Sequence, residues 1–208
     1  MISIESLISF FTISIILAVS PGPSNAFLMA QTFAKGKSAG IASAAGFATA
    51  GVIHTIFAVL GLSAILKTSP QAYQAVLYLG AAYLVYLGVM AIKDSFTQTV
   101  DSDTVTVDKK SKSVFSQALL TEVLNPKVAL FFIAFIPQFV DPSLDTPSMV
   151  QMAIFGLLYP IFALPIDLSY VHFGDKIAGY FRHHPSAQLW LDRISGVIFI
   201  SLACSLLL

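Results

Sequence analysis

Six long apolar blocks constrain this chain more strongly than any other feature of its sequence. Each is long enough to cross the roughly 30 Å hydrocarbon core of a bilayer, which takes about 20 helical residues. None alternates with the period of two that a membrane β-barrel requires, so helices are the way to satisfy backbone polar groups in lipid. The blocks occupy residues 4–20, 41–66, 73–92, 114–140, 149–173 and 189–208. We therefore predict an all-α membrane protein with six transmembrane helices.

The composition supports a membrane protein. Hydrophobic residues make up 56% of the chain and charged residues 11%, whereas about 25% of a soluble domain is charged. The leading residues of the first block carry Glu5 and no Lys or Arg, so the block lacks the basic n-region of a signal peptide and is expected to be a retained helix. The single cysteine, Cys204, excludes a disulfide within this sequence and is expected to be a packing residue.

The distribution of basic residues predicts the orientation, because Lys and Arg near helix ends favour the cytoplasmic side. If the N-terminus lies outside, only Lys67 falls on the outer side. The cytoplasmic segments or their edges then hold Lys35, Lys37, Lys93, Lys109, Lys110, Lys112, Lys176, Arg182 and Arg193. We expect both termini outside the cytoplasm and the polar linker, residues 94–113, inside it as a flexible loop.

The linker divides the chain into two three-helix repeats, residues 1–93 and 114–208. Repeats with an odd number of spans have opposite orientations in the membrane, which is the inverted-repeat plan of many transporters. Helix breakers occur in the first helix of each repeat, as Pro21-Gly22-Pro23 and Asn125-Pro126-Lys127. The second triplet begins 104 residues after the first, half the chain length. The two breaks therefore support an internal repeat.

Proline and glycine inside a helix remove hydrogen bonds and add backbone freedom, so both triplets predict unwound backbone near mid-membrane. Such backbone persists where protein or a water-filled cavity supplies partners, and its free amides suit a carboxylate. The alternative is a plain proline kink without a site. We predict a substrate site formed by Pro21, Gly22, Pro23, Asn25, Asn125, Pro126 and Lys127.

The residues at these breaks resemble a known family. Pro21-Gly22-Pro23 with the glycines that follow, and residues 123–140 around Asn125-Pro126-Lys127, are similar to the LysE/RhtB exporters of amino acids, over nearly the whole chain. The resemblance implies secondary active export of small amino acids such as homoserine, threonine, leucine or lysine from a bacterial cytoplasm, coupled to protons. It places the protein in the inner membrane. Expected partners are the amino acid, protons and the lipid bilayer, with no nucleic acid and no cofactor, and a homo-oligomer is left open.

Ionisable residues inside the predicted spans mark a pathway or a pair, because each is costly in lipid. Lys127 lies near mid-membrane and needs either an acid or a substrate carboxylate. Glu122 and Asp167 are candidate proton-coupling acids, although Asp167 could instead be wetted near the cytoplasmic end of its helix. His54 is a third candidate for the proton relay. The structural alternative for His54 is a neutral ring bonded to a backbone carbonyl.

Two other function classes are open at the sequence level. A divalent metal-ion exporter needs clustered His, Cys and carboxylate ligands, and the spans offer few of these residues. An intramembrane enzyme needs an activated nucleophile, and no spacing places a base beside Ser20 or Ser24, which flank the first break. We therefore predict a transporter with neither a catalytic residue nor a metal site.

Overall fold

The computed structural model describes residues 2–62, 70–97 and 113–207, and in these ranges all regular secondary structure is helical. These ranges contain eight α-helices and three short π- or 3-10-helical segments, one after α3 and two after α6. In chain order they are α1 (Ile4–Val19), α2 (Pro23–Lys35), α3 (Lys37–Phe57), α4 (Pro70–Thr97), α5 (Val114–Val123), α6 (Pro126–Leu130), α7 (Ser148–His183) and α8 (Pro185–Leu207). The predicted all-α fold class is confirmed.

Among the described residues, three helical segments are long and apolar enough to cross a membrane singly, namely Lys37–Gly61, Gln71–Lys93 and Ser148–Phe181. Two bent pairs of helices pass the same test when each pair is taken together, which gives up to five spans. The axes of α1 and α2 differ by 56°, and those of α5 and the segment Pro126–Phe139 by 51°. These five segments correspond to the first five predicted blocks. The sixth block forms the 23-residue helix α8.

Both bends lie where the sequence predicts breaks. Each second half-helix starts with proline at its first position, where the missing N–H costs no helical hydrogen bond. Gly36 then turns the chain from α2 into α3 with a φ of 87°, a left-handed conformation that glycine adopts without strain. Most of the predicted linker, Lys67 and the chain ends lie outside the described residues, so the predictions made for them stay predictions.

Two hydrophobic clusters pack on opposite sides of the breaks. The larger cluster contains α1 and the chain after the second break, with Phe10, Phe131, Phe132 and Phe155 near its centre. The smaller cluster joins α2 to α3, α5 and α7 and consists of Phe27, Leu28, Ala44, Phe47, Ala118 and Val171. Thus α1 shares a cluster with α6, and α2 shares one with α5. Each half of the first broken helix therefore shares a cluster with the opposite half of the second.

Helices α4 and α8 form a tightly packed pair beside this arrangement. A Cβ added to Gly88 would lie 2.7 Å from the Gly196 carbonyl oxygen, and one added to Gly196 would lie 2.7 Å from the Gly88 oxygen. Small residues of this kind let membrane helices approach to backbone contact. Cys204 lies on the exposed side of α8. It is therefore not the packing residue that the sequence predicted, because the packed side of α8 is the one facing α4.

Candidate functional site

The first break leaves the last carbonyls of α1 without helical partners. Lys127, from the other broken helix, donates hydrogen bonds to them. The Lys127 Nζ donates hydrogen bonds to the carbonyl oxygens of Leu17, at 3.2 Å, and Ser20, at 2.9 Å. A helix C-terminus carries a partial negative charge and unpaired carbonyls, so an ammonium is a favourable partner. The buried charge of Lys127 is thus held by backbone of the first break.

Two more side chains donate to the same row of carbonyls. The Asn25 amide nitrogen lies 3.1 Å from both the Ala18 and Ser20 oxygens, and the Tyr170 hydroxyl lies 3.3 Å from the Val19 oxygen. With Lys127, these groups give every carbonyl from Leu17 to Ser20 a side-chain donor. The first break is therefore stabilised by side-chain hydrogen bonds and is not only a proline kink.

Gly22 lets the Lys127 ammonium reach these oxygens. A Cβ added to Gly22 would lie 3.1 Å from Nζ and 3.6 Å from Cε of Lys127. Its φ of 175° is extended backbone, which any residue adopts. The requirement for glycine here is space beside the lysine.

The second break is closed by a polar network around Glu122. The Asn125 side chain caps α6 by accepting from the Lys127 backbone N–H at 3.0 Å. Its amide nitrogen donates to Ser24 Oγ at 2.8 Å and to Glu122 Oε2 at 3.4 Å. Ser24 in turn donates to Glu122 Oε2. No spacing in the sequence indicates an acid beside Ser24, and the fold brings Glu122 there to join the two breaks.

His54 bonds to the backbone of the second break. Its Nε2 donates to the Glu122 carbonyl oxygen at 3.1 Å, and its ring stacks on Phe132 with centroids 5.3 Å apart. This is the backbone-bonded arrangement named above as the structural alternative to a relay. The His54 ring therefore supports the break from outside the cavity lining.

Asp167 is buried, with 7% of its surface exposed, so it is not wetted at a helix end. It lies on α7 just after the internal prolines, Pro160 and Pro165. Glu122 and Lys127 interact with it electrostatically, yet within the described ranges its carboxylate receives no hydrogen bond and forms no ion pair within 4 Å. Asp167 therefore differs from Glu122, whose carboxylate is held by two donors.

These groups surround one cavity between the breaks. It is lined by Leu17, Ala18, Ser24, Asn25, Phe47, Ala48, Glu122, Asn125, Lys127, Val128, Tyr159, Pro160, Ala163 and Asp167. The cavity is narrow, with room along its centre for about one or two water molecules. A larger molecule can enter only if the surrounding helices move apart.

The predicted site residues lie in three places. Asn25, Asn125, Lys127, Glu122 and Asp167 all line the cavity, whereas the breakers Pro21, Gly22, Pro23 and Pro126 shape the backbone beside it, and His54 lies behind it. Sequence reasoning missed two further groups. Tyr159 could have been found from its place beside Pro160, but no local signal marks Tyr170.

The cavity offers carboxylates, an ammonium, amides and two hydroxyls. Among the residues that the structure describes, no three His, Cys, Asp or Glu side chains are grouped to hold a metal ion. Opposite charges around a cavity between broken apolar helices are typical of membrane transport proteins for small charged molecules.

Comparison with known proteins gives the family. Residues 15–208 match the LysE type translocator family, and the chain belongs to it. The resemblance seen in the sequence is thereby confirmed, and the chain is a membrane protein of a transporter family.

Relatives align along most of the chain. An uncharacterized membrane protein of Pseudomonas aeruginosa is 30% identical over 190 residues, which cover 89% of this chain and 87% of the relative. A leucine efflux protein of Klebsiella pneumoniae is 26% identical, with 93% and 90% covered. A homoserine/homoserine lactone efflux protein of Salmonella typhimurium is also 26% identical, with 92% and 91% covered. No solved structure matches the chain.

Proposed function

We propose that this protein is a secondary active exporter of small amino acids or their derivatives, and that the cavity between the two helix breaks is its substrate site. The observation that carries the proposal is the meeting of Lys127, Glu122 and Asp167 in one narrow cavity. An amino acid bears one carboxylate and one ammonium, and the cavity offers a charge of opposite sign to each. Relatives named as leucine and homoserine efflux proteins support this substrate class.

The substrate carboxylate pairs with the Lys127 ammonium at the edge of the cavity. The ammonium can give up its hydrogen bonds to the α1 carbonyls when it does so. Opposite charges in a poorly hydrated cavity hold each other ionised. Protonation of a nearby acid removes part of the attraction on Lys127 and frees it for a carboxylate. Substrate occupation and protonation are in this way linked.

Asp167 is the acid that we assign to proton coupling, in preference to Glu122. The Glu122 carboxylate already accepts from Ser24 and Asn125, and releasing it would open the contact between the breaks. Asp167 has no such donor in the described chain and faces the cavity directly. It can gain and lose a proton without breaking a hydrogen bond.

The arrangement in the membrane is two inverted three-helix repeats with six spans, residues 1–93 and 114–208. The exchanged partnership of the half-helices, α1 with α6 and α2 with α5, supports it. The location is the bacterial inner membrane, with both termini outside. In a Cys204→Ser background, a cysteine placed in residues 94–113 should react with an impermeant reagent in inverted vesicles and not in intact cells. Labelling in intact cells would contradict this orientation.

The direct test of function is uptake into inverted membrane vesicles that contain the protein. With an inwardly acidic proton gradient, radiolabelled leucine, homoserine, threonine and lysine are compared with a divalent cation such as Mn²⁺. At least one amino acid should accumulate, and an uncoupler should abolish the accumulation. Accumulation of the cation alone would instead establish the metal-exporter alternative.

A further inference from the structure

Two buried polar side chains of the first broken helix have no hydrogen-bond partner within the described residues. They are Gln31 on α2, with both amide atoms unpaired, and Ser14 on α1, with its hydroxyl unpaired. Both residues are fully buried. A buried polar group without a hydrogen-bond partner destabilises the conformation that contains it, so an apolar residue would stabilise this conformation better.

Both residues share the helix face that leads to the cavity. Gln31 follows the cavity residue Ser24 by seven positions, or about 10 Å along the same face of α2. Ser14 precedes Leu17 and Ala18, two cavity residues, by one turn of α1. The unpaired groups therefore lie on opposite sides of the cavity, along one continuous line of the bent helix.

Apolar side chains lie along this line on each side. Phe27 lies between Ser24 and Gln31 on α2, and its ring is 6.3 Å from that of Phe47, which lines the cavity. Phe10 lies one turn beyond Ser14, within the larger cluster. Gln31 and Ser14 are thus polar groups set among the packing that closes the cavity on its two sides.

Resting on the proposed function, we infer that the inward-facing side of α1 and α2 lines the substrate path, with Gln31 as a transient binding residue for the charged main-chain groups of an amino acid. An amide donates to a carboxylate and accepts from an ammonium, so one side chain serves both ends of the molecule. Ser14 provides a smaller contact of the same kind on the other side of the cavity. Each gains its partners only when the packing beside it opens.

Cysteine accessibility tests this path in a Cys204→Ser background. Gln31→Cys and Ser14→Cys should react with a small methanethiosulfonate reagent in membranes, as should Ala48→Cys inside the cavity. Ser43→Cys is the matched control, because Ser43 is equally buried but bonds to the Ala39 carbonyl of its own helix, and it should not react. An unreactive Gln31→Cys beside a reactive Ala48→Cys overturns the inference, as does labelling of Ser43→Cys at the same rate.

Transport measurements supply a second, independent criterion. Gln31→Met should lower the export rate about tenfold, as expected for one lost hydrogen bond to a charged group, while raising the thermal stability of the purified protein. Ser43→Ala should leave export unchanged. Normal export by Gln31→Met, or a lower stability with an unchanged rate, overturns the inference.

Substrate protection separates this inference from the proposed function. Leucine or homoserine should slow the labelling of both Ala48→Cys and Gln31→Cys. Protection at Ala48→Cys alone would overturn the path along α2 and leave the proposed site standing. Protection at neither position by any amino acid would overturn the proposed function itself.

Discussion

The two helix breaks look alike in sequence and are completed in different ways. The first presents a row of backbone carbonyls and has no side-chain cap, since Gly22 occupies the cap position of α2. The second has its own cap in Asn125 and a carboxylate in Glu122. In each, the second residue of the new half-helix reaches across to the other break, Lys127 to α1 and Ser24 to Glu122. Each break receives hydrogen bonds from a side chain of the other, so a movement at one break changes the contacts at the other.

The largest expected effect comes from removing the cation of the first break. Lys127→Met removes a side-chain donor from the Leu17 and Ser20 carbonyls and leaves Glu122 and Asp167 without a cation in the cavity. Losing one partner of a buried charge costs about 3–5 kcal/mol, so export should fall more than about a hundredfold. Uptake into inverted vesicles measures it. Lys176→Met, an exposed lysine of α7, is the control. Normal export by Lys127→Met would make Lys127 a structural charge.

The next effect separates the two acids. Asp167→Asn should retain exchange of labelled for unlabelled amino acid but lose accumulation in response to a pH gradient. Glu122→Gln should impair both, because it disturbs the bonds that join the breaks. Counterflow and gradient-driven uptake in the same proteoliposomes distinguish these results. If Asp167→Asn still concentrates substrate and Glu122→Gln does not, the coupling acid is Glu122.

A smaller effect is expected at Gly22, where the first break has space for the lysine side chain. In Gly22→Ala the new methyl group would lie 3.1 Å from Nζ, so the ammonium must shift away from its carbonyls. A displacement worth about 1 kcal/mol lowers export about fivefold. The control is Gly179→Ala on α7, where an added Cβ meets nothing within 4 Å. Equal export by the two variants would show that the export rate does not depend on the present position of the Lys127 ammonium.

The smallest effect is expected from removing the side-chain cap of a helix. Asn125→Ala removes the cap of α6, worth about 1 kcal/mol, and should lower Tm by about 2–4 °C. Ser3→Ala removes the comparable cap of α1, which lies at an exposed helix start. Both variants should lose stability, but only Asn125→Ala should also slow export, since its amide bonds to Ser24. Similar export by both would reduce Asn125 to a structural cap.

Local chemistry explains which of these features the sequence predicted. Proline and glycine change the backbone where they stand, so both breaks were predicted at the residues where the helices end. An ammonium in an apolar block must be compensated, so Lys127 was identified as a site residue. Its acceptors were not identified, because the Leu17 and Ser20 carbonyls are 110 and 107 positions away and every residue has a carbonyl. The Tyr170 bond to Val19 spans 151 positions and was missed for the same reason.

The burial of Asp167 shows the same limit. Its position late in an apolar block allowed either a wetted helix end or the cavity, and hydropathy does not distinguish them. The difference is decided by where α7 packs on α1 and α3, which is a property of the whole bundle.

The hydrogen bonds from Lys127 to the carbonyls of α1 affect which molecules can bind in the cavity. When a carboxylate draws the ammonium away, the Leu17 oxygen loses its side-chain donor and Ser20 keeps only Asn25. A simple carboxylic acid leaves that loss uncompensated, at a cost of about 1–3 kcal/mol. A zwitterion brings its own ammonium, which can replace the lysine on the vacated oxygens. On the proposed function, Lys127 is thus a tethered counterpart of the amine half of an amino acid, and substrate binding exchanges one ammonium for another.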